Sequence, residues 1–252
     1  MSRLDGRTVV LTGAAGGIGS LVAARMQALG ASIVGVDRIP CPACDQHIVA
    51  DLANAEDLAA LAERLTVFPV DILVNVAGLQ YFGPFEDQPA MALRTGYLVN
   101  LVAPATLISA VLPAMRARGA GQIVNIGSVM GTVNYPFFAA YSSAKAGLRG
   151  LSEALRREVQ ADAVAVTYIA PRAVRTAFNS AAVTTFMTMT GMRADDPESV
   201  ADRIVAAIVA RRKDVSIGVM ETFFMRLNSL FPRLVDVGLA GQAAQARRLF
   251  LR

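Results

Sequence analysis

Tyr141 and Lys145 stand four residues apart in the run Tyr141-Ser142-Ser143-Ala144-Lys145, so on a helix they share one face and address one ligand. A phenol near its ordinary pKa of about 10 is a poor base at neutral pH, and a neighbouring ammonium favours the phenolate and lowers that value. The pair can therefore move a proton. Upstream, Thr12-Gly13-Ala14-Ala15-Gly16-Gly17-Ile18-Gly19 follows straight after the apolar run 8–11. Glycines at a strand-to-helix turn let free amides and the positive end of a helix dipole reach a pyrophosphate. One motif suited to a dinucleotide and another suited to proton transfer together point to hydride chemistry.

Such motifs need a rigid frame, and the chain alternates strand-like apolar runs with helical patterns. The runs fall at 8–11, 32–36, 48–49, 71–76, 122–126, 164–169 and 215–217. That alternation predicts an α/β fold: a single doubly wound, Rossmann-type domain of about seven parallel strands with helices on both faces. Helix starts are expected at Asp87-Gln88-Pro89 and Asp195-Asp196-Pro197, where an acidic cap precedes a proline suited to the first turn. Residues 1–220 form the expected dinucleotide-binding and catalytic domain. Residues 221–252 form an apolar and basic C-terminal extension suited to an oligomer contact, a lid or a membrane surface.

Asp37 ends the second predicted strand about 20 residues beyond the glycine turn. There a carboxylate accepts hydrogen bonds from the adenosine ribose hydroxyls and repels a 2′-phosphate. NAD is the expected cofactor, with Arg38 the residue that would favour NADP.

In its ordered motifs the chain resembles a short-chain dehydrogenase/reductase from about residue 4 to residue 218. The resemblance rests on Gly13, Gly17 and Gly19 in the spacing Gly-x-x-x-Gly-x-Gly, on Asn75-Val76-Ala77-Gly78, on Asn100, on Ser128 after a strand, and on Tyr141 with Lys145. It implies that Tyr141 transfers the substrate proton, that Lys145 also holds the nicotinamide ribose, that Ser128 hydrogen-bonds the substrate oxygen and that Asn100 anchors a water chain. By the same resemblance Ile18, Asp51, Leu52, Asn75, Ala77, Gly78, Pro171, Val174 and Thr176 belong to the cofactor site. Val76 stands where the family more often has alanine. Arg172 stands where it has glycine, in Pro171-Arg172-Ala173-Val174-Arg175-Thr176. Arg172 either places a charge beside the cofactor or an anionic substrate, or points outward. The family usually inserts a full helix between the strands ending near Asp37 and Asp51, but only about 14 residues separate these aspartates here. A shortened crossover beside the adenine end is expected.

The expected reaction is a reversible oxidation of a secondary alcohol to a ketone. Alternatives are an NADPH-dependent 3-oxoacyl-type reductase and a non-catalytic dinucleotide-binding scaffold. The stretch 177–192, rich in Ala, Thr, Met and Phe, suits a lid over an apolar ligand. Tyr81, Phe82, Met130, Tyr135, Phe137 and Phe138 are candidates for the same pocket, so a lipophilic substrate is expected.

Composition bounds the rest. The 252 residues are 54% hydrophobic and 17% charged, which suits a sheet covered on both faces and a subunit that hides surface in an oligomer; the resemblance implies a homodimer or homotetramer joined through helices around 89–118 and 141–160. The net charge of +4 is too diffuse for a nucleic-acid footprint. One histidine and two cysteines supply few soft ligands, and Cys41-Pro42-Ala43-Cys44 with His47 reads as a loop with reduced thiols, so no metal site is expected. No uncharged run reaches the roughly 20 residues needed to span a bilayer, because Asn100 and Pro104 interrupt 98–112. The first strand begins too early for a secretory signal, and a cytoplasmic location is expected.

Overall fold

Near-continuous apolar runs make strands that can be buried on both faces, and seven of them pair in parallel. The computed structural model describes residues 4–251. Its strands are β1 (Thr8–Thr12), β2 (Ser32–Asp37), β3 (Gln46–Val49), β4 (Ile72–Asn75), β5 (Gly121–Ile126), β6 (Val164–Pro171) and β7 (Asp214–Ile217). They lie in the order β3-β2-β1-β4-β5-β6-β7. The chain reverses direction across the sheet between β1 and β4, and the crevice beyond the carboxyl ends of those strands is where such sheets bind ligands.

Helices α1 (Gly19–Ala28) and α7 (Pro197–Val209) cover one face, where Val22, Met26, Ile204 and Ile208 pack on Val9, Leu11 and Ile169. Helices α2 (Ala55–Val67), α4 (Ala103–Arg118) and the C-terminal part of α5 (Ala139–Glu158) cover the other. There Leu58, Leu65, Leu107, Val111 and Leu155 meet Val10, Leu73 and Ile123. The doubly wound architecture read from the sequence is the one observed.

Two local expectations need correction. Asp196 caps α7 as expected, accepting the Ser199 amide at 3.2 Å with Pro197 in the first turn. Asp87 does not cap a helix: its own amide closes a 3₁₀ turn (Phe85–Asp87) onto the Pro84 carbonyl, and α3 (Ala90–Tyr97) starts after Pro89 without a side-chain cap. Nor do Asn100 and Pro104 break the apolar helix. By length and composition the helix from Ala90 to Arg118 could cross a membrane: its most apolar 18 residues have mean hydropathy 1.8, and half of that stretch is buried within the fold. A π-helical turn (Leu98–Val102) carries the helix past Asn100. Pro104 comes two residues after that turn, where the backbone hydrogen-bond pattern already shifts.

The shortened crossover between β2 and β3 is present and contains no helix. Asp45 pins it, accepting the Ile33 amide and the Gln27 side chain, each at 2.7 Å. Burial, first, and contact with Cys41 push the Cys44 thiol up to about 12, so it stays protonated at neutral pH and is a poor ligand or nucleophile. Beyond β7, helices α8 (Val219–Leu230) and α9 (Pro232–Arg248) return to the body of the protein through Met225 and Val235, which pack on Val129 and Val133.

Candidate active site

The turn from β1 into α1 forms one wall. Gly13 has φ +69°, and a Cβ there would stand 2.8 Å from the Ala77 backbone, so only glycine lets β1 and the segment after β4 approach. Gly19 is held as closely: a Cβ would overlap the Gly13 carbonyl. Thr12 Oγ1 completes the junction by accepting the Val76 and Ala77 amides at 3.2 and 3.3 Å. Ile18 precedes α1, no side chain caps that helix, and its first turn has no acidic residue. Its dipole is therefore available to an anion, while the Ser20 amide is already bonded to the Gly16 carbonyl at 3.0 Å.

Asp37 closes the adenosine end. Its Oδ2 accepts the Ala15 amide of the glycine turn at 2.9 Å and its Oδ1 accepts the Arg38 amide at 2.7 Å. The carboxylate is thus fixed where a ribose would lie. Asp51 accepts the Ala53 amide at 2.9 Å and, with Leu52, lines the same end. These features fit a dinucleotide: a glycine cradle, an uncapped helix start and an oriented carboxylate at successive strand ends.

Tyr141 and Lys145 sit one turn apart on α5 with 8% and 4% of their surface exposed. The Lys145 amine donates to the Ile126 carbonyl at 3.0 Å and lies 5.9 Å from the Tyr141 ring centroid. Burial lowers Lys145 to about 8. Burial pushes Tyr141 up to about 12, while a hydrogen bond with the Ser128 side chain acts in the opposite direction. Desolvation is the larger influence on the phenol, and Ser128 supplies the opposing contact. Ser128 Oγ also accepts the Met130 amide at 3.1 Å, which orients it.

Gly13, Gly17, Ile18, Gly19, Asp37, Asp51, Leu52, Ala77, Gly78, Pro171, Val174 and Thr176 line a single cleft of 760 Å³ together with Ser128, Tyr141 and Lys145. Two expected site residues stand behind its wall. Asn75 is 2% exposed and its Nδ2 donates to Asn125 Oδ1 at 2.8 Å. Asn125 Nδ2 in turn donates to Ser152 Oγ at 2.9 Å. This chain ties β4, β5 and α5 together, so Asn75 supports the sheet through its Nδ2, while its buried Oδ1 has no hydrogen-bond partner among the described residues. Asn100 donates through Nδ2 to the Leu79 and Gly96 carbonyls at 2.7 and 2.8 Å and accepts the Leu79 amide at 3.2 Å. It braces the segment after Gly78.

The far end of the cleft is apolar, with Met130, Tyr135 and Phe138 on it as expected, joined by Phe178, Phe186, Met187 and Met192. Helix α6 (Ala181–Thr190) carries Phe186 and Met187. Tyr81, Phe82 and Phe137 do not line the cleft. Phe82 stacks behind Phe138 at 4.6 Å, and Phe137 stacks on Phe250 at 5.5 Å.

Three functional contacts escaped the sequence reading. The Tyr168 hydroxyl, fully buried on β6, accepts the Ser128 amide at 3.4 Å. Phe178 lies 6.1 Å from the Tyr141 ring, centroid to centroid. Arg172 lines the cleft and is paired there: it donates to Asp195 Oδ1 at 2.6 Å and Glu221 Oε1 at 3.0 Å. Those two carboxylates raise its pKa further. Its length beyond the strand end was the only signal, and its partners are 23 and 49 residues away.

The profile of the short chain dehydrogenases matches residues 7–185. The ketoacyl reductase HetN of Nostoc sp. is 31% identical over 241 residues, covering 85% of this chain and 79% of its own. A short-chain dehydrogenase from Sphingobium yanoikuyae in complex with NADPH superimposes with a TM-score of 0.76 at 26% identity, covering 91% of this chain and 95% of its own. The bulky-bulky ketone specific alcohol dehydrogenase from Comamonas testosteroni gives a TM-score of 0.74 at 27% identity, with coverage of 98% and 95%.

Proposed function

The chain belongs to the short-chain dehydrogenase/reductase family, and from that premise we propose that it interconverts a lipophilic secondary alcohol and its ketone with NAD as the preferred cofactor. The observation that carries this reading is the convergence of Ser128, Tyr141 and Lys145 with the glycine turn on one cleft whose far end is apolar.

A bound nicotinamide would supply the hydride acceptor or donor for the substrate carbon. Gly13, Gly17, Ile18 and Gly19 would hold its pyrophosphate, Asp37 the adenosine ribose, Asp51 and Leu52 the adenine, and Pro171, Val174 and Thr176 the nicotinamide end. Tyr141 gives its phenolic proton to the carbonyl oxygen in reduction and removes the hydroxyl proton in oxidation. Ser128 hydrogen-bonds the same oxygen and holds Tyr141 in register. Lys145, fixed by the Ile126 carbonyl, stabilises negative charge on the phenolate and engages the ribose. Asn100 anchors the route by which the proton is replenished, beside Gly78. Met130, Phe138, Phe186 and Met187 exclude water from the substrate end.

What supports NAD is Asp37, whose anchored carboxylate would repel a 2′-phosphate. The NADPH complex of the Sphingobium relative and the ketoacyl reductase of Nostoc favour a second reading, an NADPH-dependent reductase of 3-oxoacyl groups. Fluorescence titration with NADH and NADPH, followed by turnover assays on hydroxysteroids, hydroxyacyl thioesters and simple secondary alcohols, tests both. Tighter NADPH binding with turnover confined to 3-oxoacyl thioesters would reverse the choice.

We also assign residues 1–220 as the catalytic unit, and a homo-oligomer through the long apolar helix from Ala90 to Arg118.

A further inference from the structure

Helix α8 is amphipathic in the inverted sense. Its polar side chains Glu221 and Asn228 turn inward, to Arg172 and to the Thr132 carbonyl at 2.8 Å, beside the buried Met225. At 100° per residue, Met220, Phe223, Phe224 and Leu230 fall on a separate arc, and these four are exposed, as is Phe231 just past the helix end, while Leu227 on the same arc packs against the body of the protein. The stripe continues across the turn into Leu234 and Val237 at the start of α9. Leu230 is 72% and Val237 76% exposed, which marks these as the most open large apolar side chains of the segment. A contiguous apolar face of this kind on an otherwise well-packed protein marks a contact surface.

Charge identifies the occupant. Residues 222–251 carry Arg226, Arg233, Arg247 and Arg248 against a single acid, Asp236. Arg226 and Arg233 flank the apolar tip and are exposed. A second copy seated on this face would meet a segment of the same net positive charge, which opposes closure. A surface offering both hydrocarbon and negative charge satisfies the phenylalanines, the leucines and the arginines at once.

We propose that the α8–α9 pair seats this protein on the surface of a bilayer rich in anionic phospholipid, with the stripe from Phe223 to Val237 inserted at the headgroup boundary. Met220 and Phe224 also border a 320 Å³ side cavity shared with Tyr135 and Glu221. Seating would therefore turn that flank of the molecule, next to the apolar end of the cleft, towards the lipid.

The test is co-sedimentation of the full chain with vesicles of phosphatidylcholine alone and with vesicles containing phosphatidylglycerol. Wild type is expected to sediment with the second and only weakly with the first, and binding is expected to fall as salt is raised. Both Phe231→Glu with Leu234→Glu and Arg226→Glu with Arg233→Glu are expected to lower the partition coefficient at least about tenfold. All four positions are exposed, and nucleotide binding measured by fluorescence is expected to stay unchanged in both variants. No binding by wild type, or equal partitioning of wild type and variants, overturns the proposal. So does a result in lipid-free buffer where the Phe231→Glu, Leu234→Glu variant dissociates an oligomer in sedimentation equilibrium, because the face would then belong to a second copy.

Discussion

The Lys145 amine is held by the Ile126 carbonyl at 3.0 Å and stands 5.9 Å from the centroid of the Tyr141 ring. The cation is thus anchored by the end of β5, facing the phenol ring with its hydrogen bond spent on the backbone. Both groups are buried, and burial moves them in opposite senses: Lys145 down to about 8 and Tyr141 up to about 12. Each is shifted towards its neutral form, which brings the acidities of the two groups into an order that sequence spacing alone does not supply.

Removing the phenolic oxygen isolates the proton-transfer step. Tyr141→Phe is expected to lower kcat by about 10² to 10⁴-fold, the usual contribution of a positioned acid or base. The affinity for the dinucleotide should change little. Stopped assays beside a fluorescence titration check both, and near-normal turnover would remove Tyr141 from the reaction.

Lys145 makes stability depend on pH in a defined direction. In the unfolded chain it titrates near its ordinary 10.5, in the fold near 8. Below 8 the fold carries a buried charge, and between 8 and 10.5 the unfolded chain binds the extra proton, so stability rises with pH through that window. The shift corresponds to about 3 kcal/mol. Thermal melts of Lys145→Met should lack this rise, and the gap between variant and wild type should change across that window. Tyr141 acts oppositely: its proton is kept in the fold from 10 to about 12, so wild type loses stability over that range and Tyr141→Phe does not. Parallel pH profiles for wild type and Lys145→Met would contradict the assignment.

Cofactor choice turns on Asp37. Asp37→Ser removes the negative charge while leaving a small hydrogen-bonding group. The ratio of NADPH to NADH affinity is expected to rise about tenfold or more, equivalent to roughly 1.4 kcal/mol. The lost bond to the Ala15 amide should cost about 1 kcal/mol of stability. An unchanged ratio would show that Arg38 or the shortened crossover governs the choice.

Arg172 joins the end of β6 to Asp195 and to Glu221 of α8. Its side chain is 30% exposed, so each pair is partly screened and Arg172→Ala is expected to cost about 1 to 2 kcal/mol. The local outcome is sharper. Hydrogen exchange should accelerate in α8 and around Asp195 while β1 and β4 stay protected. Uniform acceleration would mean that the network supports the whole fold and not the tail.

Several features could be read directly from residue order. The apolar runs specify strands because a doubly covered sheet needs them, and the four-residue spacing of Tyr141 and Lys145 specifies one helical face. The glycine turn is legible because positive φ at Gly13 and the close passage of Ala77 admit no side chain. The missing crossover helix is legible from length alone. These are local constraints, written in neighbouring residues.

The rest required the sheet to assemble. Asn75 and Asn125 are far apart in sequence, and only pairing of β4 with β5 turns Asn75 away from the cleft into a buried amide chain. Tyr168 reaches Ser128 because β6 lies beside β5. Arg172 is long enough to point anywhere, and the packing of α8 decides that it meets Glu221. The acidity of Tyr141 follows the same rule. Motif spacing places an amine near a phenol, whereas the depth at which the fold buries both determines which form each prefers, since desolvation depends on every element packed around them.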